Sequence, residues 1–170
     1  MSLRRLKRER IDLYQLHRID PEVPLAESLG ALKECQNAGK IRHIGMSGVS
    51  VEQLQLAMKI VPIASVQNLY NLENRQSEPV LDYCARHSLA FIPWFPLGAG
   101  SLAQSSKLTK FAERYGSTPS QIALGWLLQK SPVMLPIPGT SNAQHLAENV
   151  QAANLRLTSA QWEELENTVN

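Results

Sequence analysis

The chain has 170 residues, of which 44% are hydrophobic and 19% charged, with a formal net charge of +2. That is room for one domain over residues 1–170 with a sizeable core, and the small charge points to neither a nucleic-acid nor a membrane partner. No uninterrupted apolar run is long enough to span a bilayer, and Met1 is followed by charge rather than by an apolar leader, so a soluble, cytoplasmic protein is expected.

Residues 2–10 read as a short helix with Leu3 and Leu6 on one side and Arg4, Arg5, Lys7, Arg8 and Arg10 on the other. No aromatic residues are interleaved with this basic cluster, which therefore reads as a solvated face. Residues 11–17 (IDLYQLH) form the first expected strand, with His17 at its carboxyl end. Leu25, Leu29 and Leu32 recur at helical spacing, and Gly39 suits the residue after the helix end. Residues 41–46 (IRHIGM) form the second strand and lead into Ser47 and Gly48. Ser50 and Gln53 make a capping box for a helix striped with Val51, Leu54, Met58 and Val61. Residues 64–67 are a short third strand, 76–87 a helix, and 89–94 (LAFIPW) the fourth strand. Cys35 and Cys84, far apart and each among apolar residues, read as buried free thiols.

A longer connection with Gly98 and Gly100 follows, then helices over 107–115 and 119–130, parted by Gly116. Thr118, Pro119 and Gln121 give the second of these a cap, a first-turn proline and a capping-box partner. Val133, Met134, Leu135 and Ile137 read as a fifth strand, ended by Pro136 and Pro138. Gly139 allows close approach to the backbone, and Ser141 with Gln144 matches a capping box for a helix beginning near Asn142. Its free N–H groups and positive dipole end suit a phosphate, although an ordinary strand-to-helix turn explains the stretch equally well. Thr158 and Gln161 open a terminal helix with Trp162 and Leu165 on one face.

Mostly apolar strands alternating with helices predict a parallel α/β sheet, either open and doubly wound or part of a (β/α)8 barrel. In both architectures ligands bind at the carboxyl ends of the strands. His17, Ser47, Gln67, Trp94 and Gly139 all fall at such ends, although Trp94 also suits a core position. No metal-ligand spacing is present.

Taken together, DLYQLH, GKIRHIGMS, VQNLYN, PWFPLGAG and IPGTSNAQHLAEN resemble the aldo-keto reductase family over essentially the whole chain. The WFPLG and IPGTS forms are most similar to those of bacterial members, including pyridoxal reductase-like proteins. The resemblance implies a (β/α)8 TIM barrel, here a partial one of about five β/α units with a C-terminal helix. It implies reduction of a small carbonyl substrate by hydride transfer from NADP(H), with NAD(H) not excluded. His17 then matches the catalytic histidine that donates to the substrate carbonyl. Ser47 and Gln67 match the holders of the nicotinamide carboxamide, and Trp94 the aromatic residue that stacks on that ring. Phe95, Leu97, Gly98 and Ser101 lie where a loop contacts the pyrophosphate. Gly139, Thr140, Ser141 and Asn142 match the cradle of the adenosine 2′-phosphate, and His145, Glu148 and Asn149 the adenine end.

Three positions depart from the family pattern. Gly48 stands where Asn is usual, Gly139 where many relatives have Lys, and His145 where many have Arg. The family's catalytic Asp, Tyr and Lys lie on strands and loops ahead of those matched here, and no Tyr–Lys pair at a strand end replaces them: Tyr14 is inside a strand and Tyr70 has no lysine nearby. Loss of a general acid removes roughly 10²–10⁴-fold of rate. An eight-stranded barrel takes about 250 residues, so the first and fifth strands are expected as exposed apolar edges. Three readings follow: the carboxyl-terminal part of a reductase, inactive alone; a non-catalytic nucleotide-binding or interaction module; or a degenerate fragment. The expected partners of the open sheet edges are an upstream fragment or a second copy of the chain.

Overall fold

The computed structural model describes residues 1–169. Its first elements are a five-residue helix α1 (Ser2–Leu6), strand β1 (Ile11–Leu16), helix α2 (Leu25–Asn37) and strand β2 (Ile41–Ser47). Helix α3 (Val51–Met58), strand β3 (Ile63–Leu69), helix α4 (Glu78–Arg86) and strand β4 (Ala90–Trp94) continue the alternation. The carboxyl-terminal part is helical among the described residues: α5 (Ser101–Gln104), α6 (Ser106–Glu113), α7 (Pro119–Lys130), α8 (Ala143–Gln151) and α9 (Ser159–Val169). The sheet order is β1-β2-β3-β4, with β1 parallel to β2 and β2 parallel to β3. Consecutive strands that are neighbours and parallel, with a helix in each connection, are the arrangement of a (β/α) barrel segment.

The residues cluster into two compact units, one of residues 1–68 and 79–91, the other of residues 69–78 and those from 92 onward. In the first unit, Leu29 of α2, Ile44 and Met46 of β2, Leu54 of α3, Val66 of β3 and Cys84 of α4 are all fully buried. The β2–β3 register runs through Gly45↔Ser65, Met46↔Val66 and Ser47↔Gln67, after an irregularity at Ile44 and Gly45. Gly45 is required there: a Cβ would lie 2.4 Å from Ser65 Oγ and 3.2 Å from the Ser65 carbonyl oxygen. The second unit is built on α7, whose residues Ile122 to Leu127 are buried all round. Gly125 lets this helix be approached closely, because a Cβ would meet Leu155 at 2.8 Å and the Trp162 ring at 3.2 Å.

Local signals in the sequence place the helix starts well. The capping boxes at Ser50–Gln53, Thr118–Gln121 and Thr158–Gln161 are all formed in both directions. The fourth differs. Asn142, not Ser141, caps α8 by accepting from the Gln144 N–H, while Thr140 Oγ1 accepts from the Asn142 N–H. Helix α1 is shorter than expected, since Lys7 turns left-handed at φ 51° and ends it.

The fifth strand is not formed as expected. Among residues 133–137 only Met134 makes an isolated bridge, and the segment is otherwise extended without a ladder. Pro136 and Pro138 have no N–H to give to a neighbour, and Leu135 and Ile137 are 55% and 45% exposed. On β1, the first strand of the sheet order, Leu13 is 40% exposed. The thiols also divide: both are free, but only Cys84 is buried and Cys35 is half-buried. Burial pushes the Cys84 thiol up to about 12.

Candidate functional site

In the first unit, the carboxyl ends of three adjacent strands collect three of the expected residues. Ser47 and Gln67 are Cα partners on β2 and β3. His17 follows Leu16, whose partner on β2 is Met46, so histidine and serine stand one step beyond the same pair. Ser47 is 8% exposed, Gln67 is half-buried, and His17 is exposed. Polar groups at the ends of neighbouring parallel strands point the same way out of the sheet, which is why such edges assemble sites.

The turn after β2 is held by a residue that the sequence reading did not single out. The Asn68 side chain clamps Val49, accepting from its N–H at 3.1 Å and donating to its carbonyl at 2.8 Å. The Gly48 N–H donates to the Gln67 carbonyl at 3.0 Å. Gly48 has φ +65°, and a Cβ there would meet nothing within 4 Å. The position is therefore open, and its backbone shape is one that Asn also adopts readily. The sequence signals for Asn68 were its place beside Gln67 and within VQNLYN.

The second unit contains a groove of about 740 Å³. One wall is the loop after β4, with Trp94, Phe95 and Leu97; the other is the entry to α8, with Gly139, Thr140, His145, Glu148 and Asn149. Eight residues named from the sequence thus meet in one cavity. The start of α7 supplies Thr118 and Pro119, expected only as helix-start residues, and Ser120, which carried no expectation. Gln121 ties the two helices together, donating from Nε2 to the Glu148 carbonyl at 3.2 Å. The Glu148 carboxylate accepts from Gln144 Nε2 at 3.1 Å. Trp94 packs edge-on against Phe95 at 5.0 Å, and Phe95 is 53% exposed.

Four expected contacts do not line this groove. Gly98 is needed by the turn itself, at φ +58° and with Ser101 Oγ only 2.4 Å from where a Cβ would lie. The Ser101 hydroxyl faces the Glu73 carboxylate and the Gly98 carbonyl, both at 2.9 Å, so its single proton is engaged inside the protein. Ser141 is exposed, and Asn142 is occupied in capping α8. No lysine or arginine lines the groove; His145 and Glu148 are its ionisable residues.

The second unit also holds a cluster of charge and aromatic rings. Glu166 of α9 accepts from Arg75 Nη1 at 2.8 Å and from Trp126 Nε1 at 2.8 Å, and lies 3.0 Å from Lys130 Nζ. Burial acts to raise its pKa, but the bonds from Trp126 and Lys130 and the charges of Lys130 and Arg75 outweigh this and hold it below the ordinary value. Tyr70 is stacked on Trp126 and donates to Glu78 at 3.3 Å. Lys130 lies 3.6 Å from the same Glu78 carboxylate, so a lysine is near Tyr70 in space although not in sequence. Tyr70 is fully buried, and burial and then Glu78 push its phenol well above the ordinary value.

Comparison with known proteins agrees with this geometry. The profile of the aldo/keto reductase family matches residues 1–170. The chain is 48% identical over 167 residues to an uncharacterized oxidoreductase of Schizosaccharomyces pombe, covering 98% of this chain and 55% of that protein. It is 44% identical to pyridoxine 4-dehydrogenase of Escherichia coli over 81% of this chain and 48% of the enzyme. The crystal structure of an aldo-keto reductase from Klebsiella pneumoniae in complex with NADPH superposes with a TM-score of 0.88 at 31% identity, over 98% of this chain and 61% of that one. The chain therefore spans about half the length of the curated relatives it matches. No helix among the described residues is long and apolar enough to cross a membrane. The profile match over residues 1–170, with these relatives, places this chain in the aldo/keto reductase family.

Proposed function

We propose that the chain is the cofactor-binding part of an NADP(H)-linked carbonyl oxidoreductase and does not by itself reduce carbonyls at the rate of a whole reductase. The observation that carries the binding half is the groove of the second unit, where a glycine-containing loop and a helix entry face one cavity. Its volume of about 740 Å³ lies within the range of small-molecule and cofactor sites, and the open backbone at Gly139 leaves room for a close ligand.

In this reading Trp94 supplies an aromatic face for a planar ring, and the backbone of Phe95 and Leu97 lies along the diphosphate. Thr140 offers a hydroxyl to the adenosine phosphate, while Glu148 and Asn149 accept from and donate to adenine. In the first unit, taken by itself, Ser47 and Gln67 offer an amide-binding pair and His17 a donor for a carbonyl oxygen. The nicotinamide, when bound, supplies the hydride. With no lysine or arginine along the groove, the adenosine phosphate lacks the charge-assisted bonds that select NADPH over NADH. Discrimination between the two cofactors is accordingly within about tenfold.

The inactivity half is supported by Tyr70. A tyrosine that gives a proton to a carbonyl needs access to substrate and a neighbour that lowers its pKa. Tyr70 is fully buried and is pushed the other way. Tyr14 lies within β1, away from the strand end. The test is tryptophan fluorescence during titration with NADPH and, in parallel, with NADH. Saturable quenching by both is expected; none with either up to about 1 mM defeats the binding reading. Aldehyde-dependent oxidation of NADPH by the chain alone, at the turnover of a whole reductase, defeats the inactivity reading.

A further inference from the structure

The loop between β4 and α5 is the most strained segment of the groove. Phe95 and Ala99 carry side chains at φ 54° and 52°, and Gly98 and Gly100 are also left-handed, at 58° and 100°. Left-handed backbone is unfavourable for residues with a Cβ and persists only where surrounding contacts impose it. Two such contacts come from the connection that follows β3. Asn71 Nδ2 donates to the Phe95 carbonyl at 2.9 Å, at the strained entry to the loop. At its exit, the Ser101 hydroxyl donates to Glu73 Oε2 at 2.9 Å.

Neither Asn71 nor Glu73 lines the groove. Asn71 is 3% exposed, and its side-chain oxygen accepts from the N–H groups of Glu73 and Asn74 at 3.0 and 2.9 Å. Its orientation is thereby set, and its remaining amide group is aimed at Phe95. One side chain thus shapes the 71–74 turn and fixes the loop entry, and that same turn places Glu73 against Ser101. A carboxylate is the strongest acceptor available to a serine hydroxyl.

We propose that Asn71 and Glu73 are positioning residues for the diphosphate of the bound cofactor, acting through the 95–101 loop without touching the ligand. This rests on the nucleotide reading given above. Their role is preorganisation: the strained loop is fixed before the ligand arrives, so binding does not have to order it. The Ser101 hydroxyl belongs to this support, facing Glu73 rather than phosphate.

Two probes separate this role from general stability. NADPH engages both walls of the groove, whereas adenosine 2′,5′-bisphosphate engages only the α8 wall. Calorimetric titration of the full chain with each is compared for Glu73→Ala, Ser101→Ala, the double variant and Glu73→Gln, which retains an acceptor oxygen. Each single alanine variant is expected to weaken NADPH by about tenfold while leaving the bisphosphate within about twofold. The double variant should lose no more than Glu73→Ala, because both remove one bond, and Glu73→Gln should bind NADPH within about twofold of the unaltered chain. Equal losses for both probes, unchanged NADPH affinity in the alanine variants, or clearly tighter binding by Glu73→Gln overturns the proposal. If the unaltered chain binds neither probe, the nucleotide reading itself fails and this inference goes with it.

Discussion

Two glycines on β2 and the turn after it behave oppositely under substitution. Gly45 has no room: a Cβ would press on Ser65 Oγ, Gln15 Cγ and the Ser65 carbonyl, and Ser65 is 1% exposed. Gly45→Ala is expected to destabilise by about 1–3 kcal/mol in chemical denaturation, as overpacking between adjacent strands does; a change near zero would mean that β2 and β3 separate without cost. Gly48 has room on every side and a left-handed backbone that Asn tolerates. Gly48→Asn should leave stability within about 0.5 kcal/mol in the same denaturation experiment. A loss of more than about 1 kcal/mol would show that the turn has no room for a side chain. The difference between the two glycines is not a local property of the sequence, where Gly45 follows Ile44 and Gly48 follows Ser47. It depends on what lies across the sheet.

Helix starts were readable because a cap and its partner are three residues apart, so the chemistry lies within one turn of sequence. Elements that depend on distant partners were not readable in the same way. The apolar run at 133–137 has strand composition, but a ladder also needs donors and a neighbour, and Pro136 within it and Pro138 just after it withhold donors. Helix α9 is a further case: the sequence showed its apolar face with Trp162 and Leu165, but not the clasp at Glu166. That carboxylate joins Arg75, Trp126 and Lys130, so α9 is fastened to α7 and to the 69–78 connection by charge as well as by packing. Because its pKa is held below the ordinary 4.5, its contribution is fully present above that pH and is lost as pH falls through the folded-state value. Glu166→Gln should flatten this acid limb of the stability curve and cost about 1–3 kcal/mol at neutral pH, Arg75 losing its carboxylate and Lys130 keeping only Glu78. An unchanged acid limb would assign the loss of stability to other carboxylates.

For the molecule as a whole, the alternation of strands and helices gave the architecture, and the family match over residues 1–170 agrees with it. Much of the candidate site was legible because ligand contacts in such folds gather at strand ends, which the sequence marks by the close of each apolar run. Its supports were not. Asn68 with Val49, Asn71 with Phe95 and Glu73 with Ser101 join positions 19, 24 and 28 residues apart, beyond any local pattern. The central claim is that a dinucleotide lies in the groove between the 95–101 loop and α8. Amide hydrogen exchange measured with and without saturating NADPH tests it most directly. The account predicts slowed exchange at residues 95–101 and 139–149. Protection absent from both segments, or confined to the 11–41 region, would contradict it.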